Sequence, residues 1–389
     1  MYTIVSTFPR DGSANVGDKL IEHAVERIVE AERGPTEFFT VFRENPLDDH
    51  LDRINGSDAV LLPAFAIRDL PLYPETYRFA ENLSDITVPM IPIGSNYNVY
   101  PGDGRTREEL DFSPETVEVL EHIAQQVESF SCREQYTCDV LEGHGIDNTL
   151  LTGDPAWFDP DRIGDSMRRP GTVEQVVFTP PLSPYYVEQA IALIGMLADL
   201  FPDARRILSI HLDDAETADD DATAENSAAL SEEVAEKNRR IRAKAAEYGF
   251  EQVDAGGDLS NIGFYEDCDL HVGYECHAHA SFLRRRLPSV LVAEDARGVG
   301  FADTLGVGGF RGFVRAQPAS RQLRKEVTSG YCTTLTEYSL APARNDLTAD
   351  VRRFLTREVD RNFQRYAGLG DYLDAMYTET MRPFVRNLP

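Results

Sequence analysis

Four short stretches carry residue types and spacings suited to chemistry on an anionic or hydroxylated ligand. Asn15-Val16-Gly17-Asp18 stands at the entry to a helix. Asp18 either caps that helix or aims its carboxylate at a sugar hydroxyl, since beside a phosphate it would be repulsive. Asn15 counts with it among the ligand-facing residues. Ser131-Cys132-Arg133-Glu134 ends an apolar segment, and Gly153-Asp154-Pro155-Ala156-Trp157 follows twenty residues on. A guanidinium at a strand's carboxyl end matches a carboxylate or phosphate with two parallel bonds. Arg133 therefore either grips an anion or pairs with Glu134 or Asp154. In Gly273-Tyr274-Glu275-Cys276-His277-Ala278-His279 a strand leads in and a helix leads out. His277 then sits in the first helical turn, facing a cleft, as a general acid or base. His279, two positions on, faces another way, so the pair does not suit a shared metal, and no metal is expected. Last, Arg284-Arg285-Arg286 precedes Glu294-Asp295-Ala296-Arg297. Arg284 either binds an anion or pairs with surface acids. Arg297 follows a strand over 289–293, where an anion could bind.

These residues need a scaffold that brings strand ends together. Apolar β-rich runs at 3–8, 38–42, 58–65 and 88–94 alternate with amphipathic helical patterns at 20–32 and 114–128. A Pro-, Gly- and charge-rich connection over 159–175 reads as a linker. A second alternating unit follows, with strands at 176–180, 206–212, 250–254, 269–273 and 288–294 and helices at 185–200, 237–248 and 277–286. Residues 348–378 are helical and amphipathic. Gly306-Val307-Gly308-Gly309 reads as a turn after a helix. The fold class is α/β: two Rossmann-like lobes with mostly parallel sheets facing across a cleft, closed by a C-terminal helix. The expected divisions are 1–165 on the acceptor side, 166–345 on the donor side, and 346–389 as a helical segment.

Composition narrows the partners. The 389 residues hold 38 Lys+Arg against 66 Asp+Glu, a formal charge of −28. That charge repels nucleic acid and anionic membrane surfaces. Only Lys19, Lys237, Lys244 and Lys325 are lysines; the other basic residues are arginines. Acid-rich, Lys-poor surfaces suit molar salt, where the Debye length is about 3 Å, and the composition resembles that of halophilic archaea. Ten acids and no base fall in 213–236, a solvated stretch without assigned chemistry. No secretion signal and no apolar run of about 18 residues is seen. The scattered cysteines at 132, 138, 268, 276 and 332 fit reduced thiols in a cytoplasm. A P-loop, GxGxxG, HExxH and GxSxG are all lacking.

Taken in order, NVGDKLIEHAVERIV, SCREQYTCDVLEGHGIDNTLLTGDPAW and DLHVGYECHAHASFLRRRLPSVLVAEDARGVGFADTLG resemble the polysaccharide pyruvyl transferase family. The resemblance implies a fold similar to GT-B glycosyltransferases. It implies transfer of the enolpyruvyl-derived group of phosphoenolpyruvate to a sugar, as a ketal, with release of phosphate and no cofactor. The acceptor would be a surface glycan or its lipid-linked precursor. Arg133 matches the family's S-x-R arginine, which contacts the donor. His277 matches the histidine of the late R-x-H motif and would protonate the methylene carbon or the leaving phosphate; Asp18 would orient or deprotonate the sugar hydroxyl. Two departures stand out. Glu275 occupies the position of the motif's arginine, and Pro63-Ala64-Phe65-Ala66 replaces a glycine-rich turn. Two rival readings follow: a GT-B-type glycosyltransferase with Glu275 on a ribose or sugar hydroxyl, and a non-catalytic member of the family. An oligomer is compatible with all three.

Overall fold

The computed structural model describes residues 1–7, 16–68, 72–73, 77–98, 112–211, 224–314 and 343–389. Asn15 and Cys332 lie outside the described residues, as does 212–223 of the acidic stretch.

The first unit is built on a four-stranded sheet in the order β2-β1-β3-β5: β1 Tyr2–Ser6, β2 Phe38–Phe42, β3 Val60–Pro63 and β5 Met90–Ile93. Every pair is parallel, with Tyr2 opposite Phe38 and Val60 opposite Met90. The sequences VLLP and MIPI are buried at every position, as strands covered on both faces must be. Short parallel pairs extend the unit: β4 Ala66–Arg68 with β6 Asn96–Asn98, and β7 Phe130–Cys132 with β8 Thr149–Leu151. The helices are α1 Val16–Arg33, α2 Leu51–Asn55, α3 Pro114–Gln126 and α4 Gln135–Glu142. In α1, Val16, Leu20, Ile21, Val25, Ile28 and Val29 recur at helical spacing and are buried. Each such side chain contributes about 1.5–3 kcal/mol on full burial.

The second unit is a six-stranded parallel sheet in the order β11-β10-β9-β12-β13-β14. Its strands are β9 Gln175–Thr179, β10 Arg205–Ile210, β11 Glu251–Asp254, β12 Leu270–Gly273, β13 Ser289–Ala293 and β14 Gly309–Arg311. Its helices are α5 Val187–Leu200, α6 Ala224–Glu247, α7 Cys276–Arg284 and α8 Ala296–Leu305. The last three helices are α9 Leu347–Asp360, α10 Leu369–Met376 and α11 Arg382–Arg386.

Several boundaries differ from the sequence reading for identifiable reasons. The helix expected at 237–248 begins at Ala224, because the acidic run is largely made of good helix formers. The single C-terminal helix expected over 348–378 breaks after Asp360, where Asn362 and Phe363 take φ of 51° and 50°. The turn expected at 306–309 is partly a strand: Gly306 ends α8 in the left-handed conformation, and Gly309 already belongs to β14. Asp18 is not a cap. Helix α1 begins at Val16, so Asp18 lies inside its first turn.

The two units share a core, and a second apolar cluster around Val41, Leu62 and Phe130 lies mostly within the first unit. Tyr2, Ile4 and the inner face of α1 belong to the same apolar cluster as Trp157, Phe178, Val272 and Phe301. Phe301 of α8 packs on Trp157 at 4.8 Å between ring centroids. The chain then crosses back: α9 lies on α5, and α11 lies on α1. There Glu32 of α1 accepts from the Tyr377 hydroxyl and from Arg382 and Arg386 at 2.7, 2.9 and 2.8 Å.

A candidate anion site between two lobes

Parallel strands put their carboxyl ends, and the helix N-termini that follow, on one edge of each sheet. Here α1 comes after β1, α7 after β12 and α8 after β13. The first turns of α1 and α7 meet. A Cβ placed on Gly17 would lie 1.8 Å from His277 Nδ1, so only glycine permits the two helices to approach this closely. Helix N-termini carry the positive end of the macrodipole and unpaired N–H groups.

His277 is 7% exposed, and its Nδ1 is buried without a hydrogen-bond partner. The nearest carboxylate, Glu275 Oε2, is 3.9 Å away, beyond hydrogen-bond reach. Burial, then Arg297 and Arg133, hold the imidazole well below its ordinary pKa, so it is neutral at pH 7. Asp18, partly buried, is pushed up to about 6 by desolvation. Arg43 and Arg297 pull it down less, and Glu275 adds to the rise. These interactions put Asp18, Arg43, Glu275, His277 and Arg297 in one electrostatic cluster drawn from both lobes. Glu275 precedes α7 but makes no capping bond to it with its side chain. Arg297 is held by Asp295 Oδ2 at 2.8 Å from its Nε, while Asp295 Oδ1 accepts from the Arg297 and Gly298 N–H groups and caps α8.

Arg133 directly follows β7, at a strand's carboxyl end, and it is paired. Its Nε donates to Glu134 Oε2 at 2.7 Å, and Nη1 reaches Asp154 Oδ2 at 3.4 Å. Its guanidinium carbon lies 4.7 Å over the Phe301 ring. Burial works against its charge, but Glu134 and Asp154 more than offset that. Nη2 is left buried without a partner. Of the two readings of this residue the internal pairing is present, with one donor over. Asp154 is fully buried, and its Oδ1 accepts from Ala156 N at 2.8 Å.

Two sequence-selected residues lie elsewhere. His279 turns into the core, with Nδ1 2.6 Å from Ser289 Oγ and a pKa lowered by burial to about 3. Arg284, two turns along α7, lies 3.5 Å from Asp159 and lines a separate cavity. Two other groups were missed. Arg43 follows β2, and the rule that ligand-facing residues sit at strand ends would have found it. Glu294 directly follows β13 and accepts from Leu182 N and Ser183 N at 2.9 and 3.0 Å, fixing the loop after β9. Among the described residues no three His, Cys, Asp or Glu are grouped to hold a metal ion, and no helix is long and apolar enough to cross a membrane.

The fold and cluster define a two-lobed parallel α/β protein whose helix N-termini and arginines converge where the lobes meet. A family model for polysaccharide pyruvyl transferase matches residues 15–252. The chain belongs to that family of glycan-modifying transferases. The match includes Asp18, Arg133 and Asp154 and ends before Glu275 and His277. Solved structures are similar at low identity. HepE of Anabaena with UDP and glucose is 13% identical, with TM-score 0.42, over 97% of this chain and 98% of that one. An E. coli trehalose-6-phosphate structure with UDP-2-fluoro glucose is 13% identical, with TM-score 0.46, over 99% and 97%. MnaA of S. aureus with UDP is 12% identical, with TM-score 0.43, over 92% and 96%. No curated protein matches the chain.

Proposed function

We propose that the protein moves the enolpyruvyl-derived group of phosphoenolpyruvate onto two hydroxyls of one sugar, in a surface glycan or its lipid-linked precursor. The observation that carries this reading is the unpartnered, buried His277 Nδ1 where α1 and α7 meet, with Arg297 and Asp18 beside it. Arg297, Arg43 and the helix N-termini supply the positive potential for a carboxylate and a phosphate. A bound anion offsets the arginines, the second cause of the lowered His277 pKa after burial, and so moves the imidazole toward holding a proton.

In the reaction the methylene carbon gains a proton and becomes a methyl group. The first sugar oxygen bonds to the adjacent carbon and gives up its proton. The bond from that carbon to the phosphate oxygen then breaks, and the second hydroxyl closes the ketal as its proton leaves. In this reading His277 delivers the proton and Asp18 accepts one from a hydroxyl. With Glu275 in the arginine's position, the anion rests on Arg297 and Arg43.

A second reading has its own support. Glu275 directly precedes α7 and belongs to the cluster around Asp18, and a carboxylate at that place suits acceptance of a ribose or sugar hydroxyl from a nucleotide sugar. Ligand-induced thermal stabilisation separates the two. A ligand at 100 times its Kd adds about 2.7 kcal/mol. The first reading expects a melting shift with phosphoenolpyruvate that is lost in Arg297→Gln. A shift with nucleotide sugars alone makes the protein a glycosyltransferase. No shift with either leaves a non-catalytic member of the family.

A further inference from the structure

We propose that the cavity behind the cleft, at the opposite end of α7 from His277, is a second anion site that takes a phosphate group and ties the two lobes together. It encloses about 210 Å³, the share of roughly seven waters in the liquid. The walls come from both units and their connection. Helix α1 contributes His23, the connection contributes Asp159 and Arg162, a 3-10 helix at Leu259–Asp267 contributes Glu266, and the end of α7 contributes Arg284 and Arg285. The site is separate from the cleft, since His277 and Arg284 stand about 10 Å apart along α7 at 1.5 Å per residue.

Its charge is unusual for this molecule. Three guanidiniums face two carboxylates in a chain of net charge −28. The acids serve the arginines poorly. Glu266 is shared between Arg162 at 2.7 Å and Arg285 at 3.6 Å, and Asp159 stands 3.5 Å from Arg284. Arg284 is 9% exposed, and its Nη1 is buried with no hydrogen-bond partner. Burial depresses Arg284 and Arg285 more than Asp159 and Glu266 compensate. His23 is pushed down, by burial first and then by Arg284, so it lines the site as a neutral imidazole. Forked guanidiniums short of anionic partners suit the tetrahedral oxygens of a phosphate. The inference stands independently of the reaction proposed for the cleft.

The test is phosphorus NMR titration of the full chain with inorganic phosphate and, in parallel, glucose 1-phosphate. We expect saturable binding that weakens at least tenfold in Arg284→Gln and in Arg285→Gln. Asp159→Asn should tighten it severalfold, a gain that a damaged fold does not imitate. Tighter binding of glucose 1-phosphate identifies an ester as the ligand; tighter binding of phosphate identifies the free ion. Amide exchange should slow in both Val16–Arg33 and Leu259–Asp267 on binding. Absence of binding by both ligands overturns the proposal. So does binding that ignores the Arg284 and Arg285 substitutions and falls instead with Arg297→Gln, which would put the phosphate in the cleft.

Discussion

At the residue scale, the titration of Asp18 gives the most direct forecast. Its folded pKa of about 6 lies above the ordinary 3.8. The folded state thus binds the proton more tightly, and stability falls as pH rises through that interval. Asp18→Asn removes this dependence: its melting temperature should match wild type near pH 4 and exceed it above pH 6.5. In the proposed transfer the acidic limb of the rate profile, with a midpoint near 6, should vanish in the same variant. Glu275→Arg should strengthen phosphoenolpyruvate binding at least tenfold if that side chain faces the donor, as a binding isotherm would read. An unchanged isotherm removes Glu275 from the donor pocket. Which residues end strands was legible in the sequence, because apolar runs and turn residues mark those ends; Arg133, His277 and Arg297 were found that way. Their partners were not. The pairing of Arg133 with Asp154 and the turning of His279 toward Ser289 depend on packing between segments distant in the chain.

At the scale of elements, the approach of α1 to α7 sets the geometry of the cleft. Gly17→Ala puts a methyl group into the His277 ring. Helix propensity alone would favour alanine by about 1 kcal/mol, yet overpacking costs about 1–3 kcal/mol. We expect net destabilisation in a denaturant titration, and its rescue by His277→Ala. A gain in stability in Gly17→Ala would mean that the helices do not touch in solution. The alternation of strands and helices was legible because buried parallel strands read as continuous apolar runs. The short strands β4, β6 and β14 were not, for three residues leave too little pattern. The turn after β3 illustrates the same limit. Ala64 holds φ at 45°, a conformation the sequence would have announced only with a glycine.

At the scale of the whole molecule, Glu32 fastens the C-terminal segment to the first lobe. Burial opposes its charge, but the Tyr377 hydroxyl, Arg382 and Arg386 outweigh it and lower its pKa. Its contribution to stability is therefore present above about 4.5, the ordinary glutamate value, and lost as pH falls below it. Glu32→Gln should lower the melting temperature at pH 7 and converge with wild type near pH 3. The net charge of −28 makes a second forecast. Repulsion between carboxylates is screened by salt, so the melting temperature should climb between 0.1 and 2 M KCl. That two α/β units would form was legible from the break at 159–175. Their shared core was not, because it joins Tyr2 and Ile4 to β-strands of the second unit without any local signal.

The return of the chain onto α1 also bears on how the protein is made. Glu32 and Arg386 are separated by 354 residues. At about 5–20 residues per second of synthesis, on the order of 20–70 s pass between the emergence of that helix and of the segment that covers it. Through that interval the growing polypeptide carries a helix surface whose C-terminal cover is not yet translated. The first lobe then behaves on the ribosome as a waiting partner rather than a finished domain, and its capture by chaperones should end when the last helix docks.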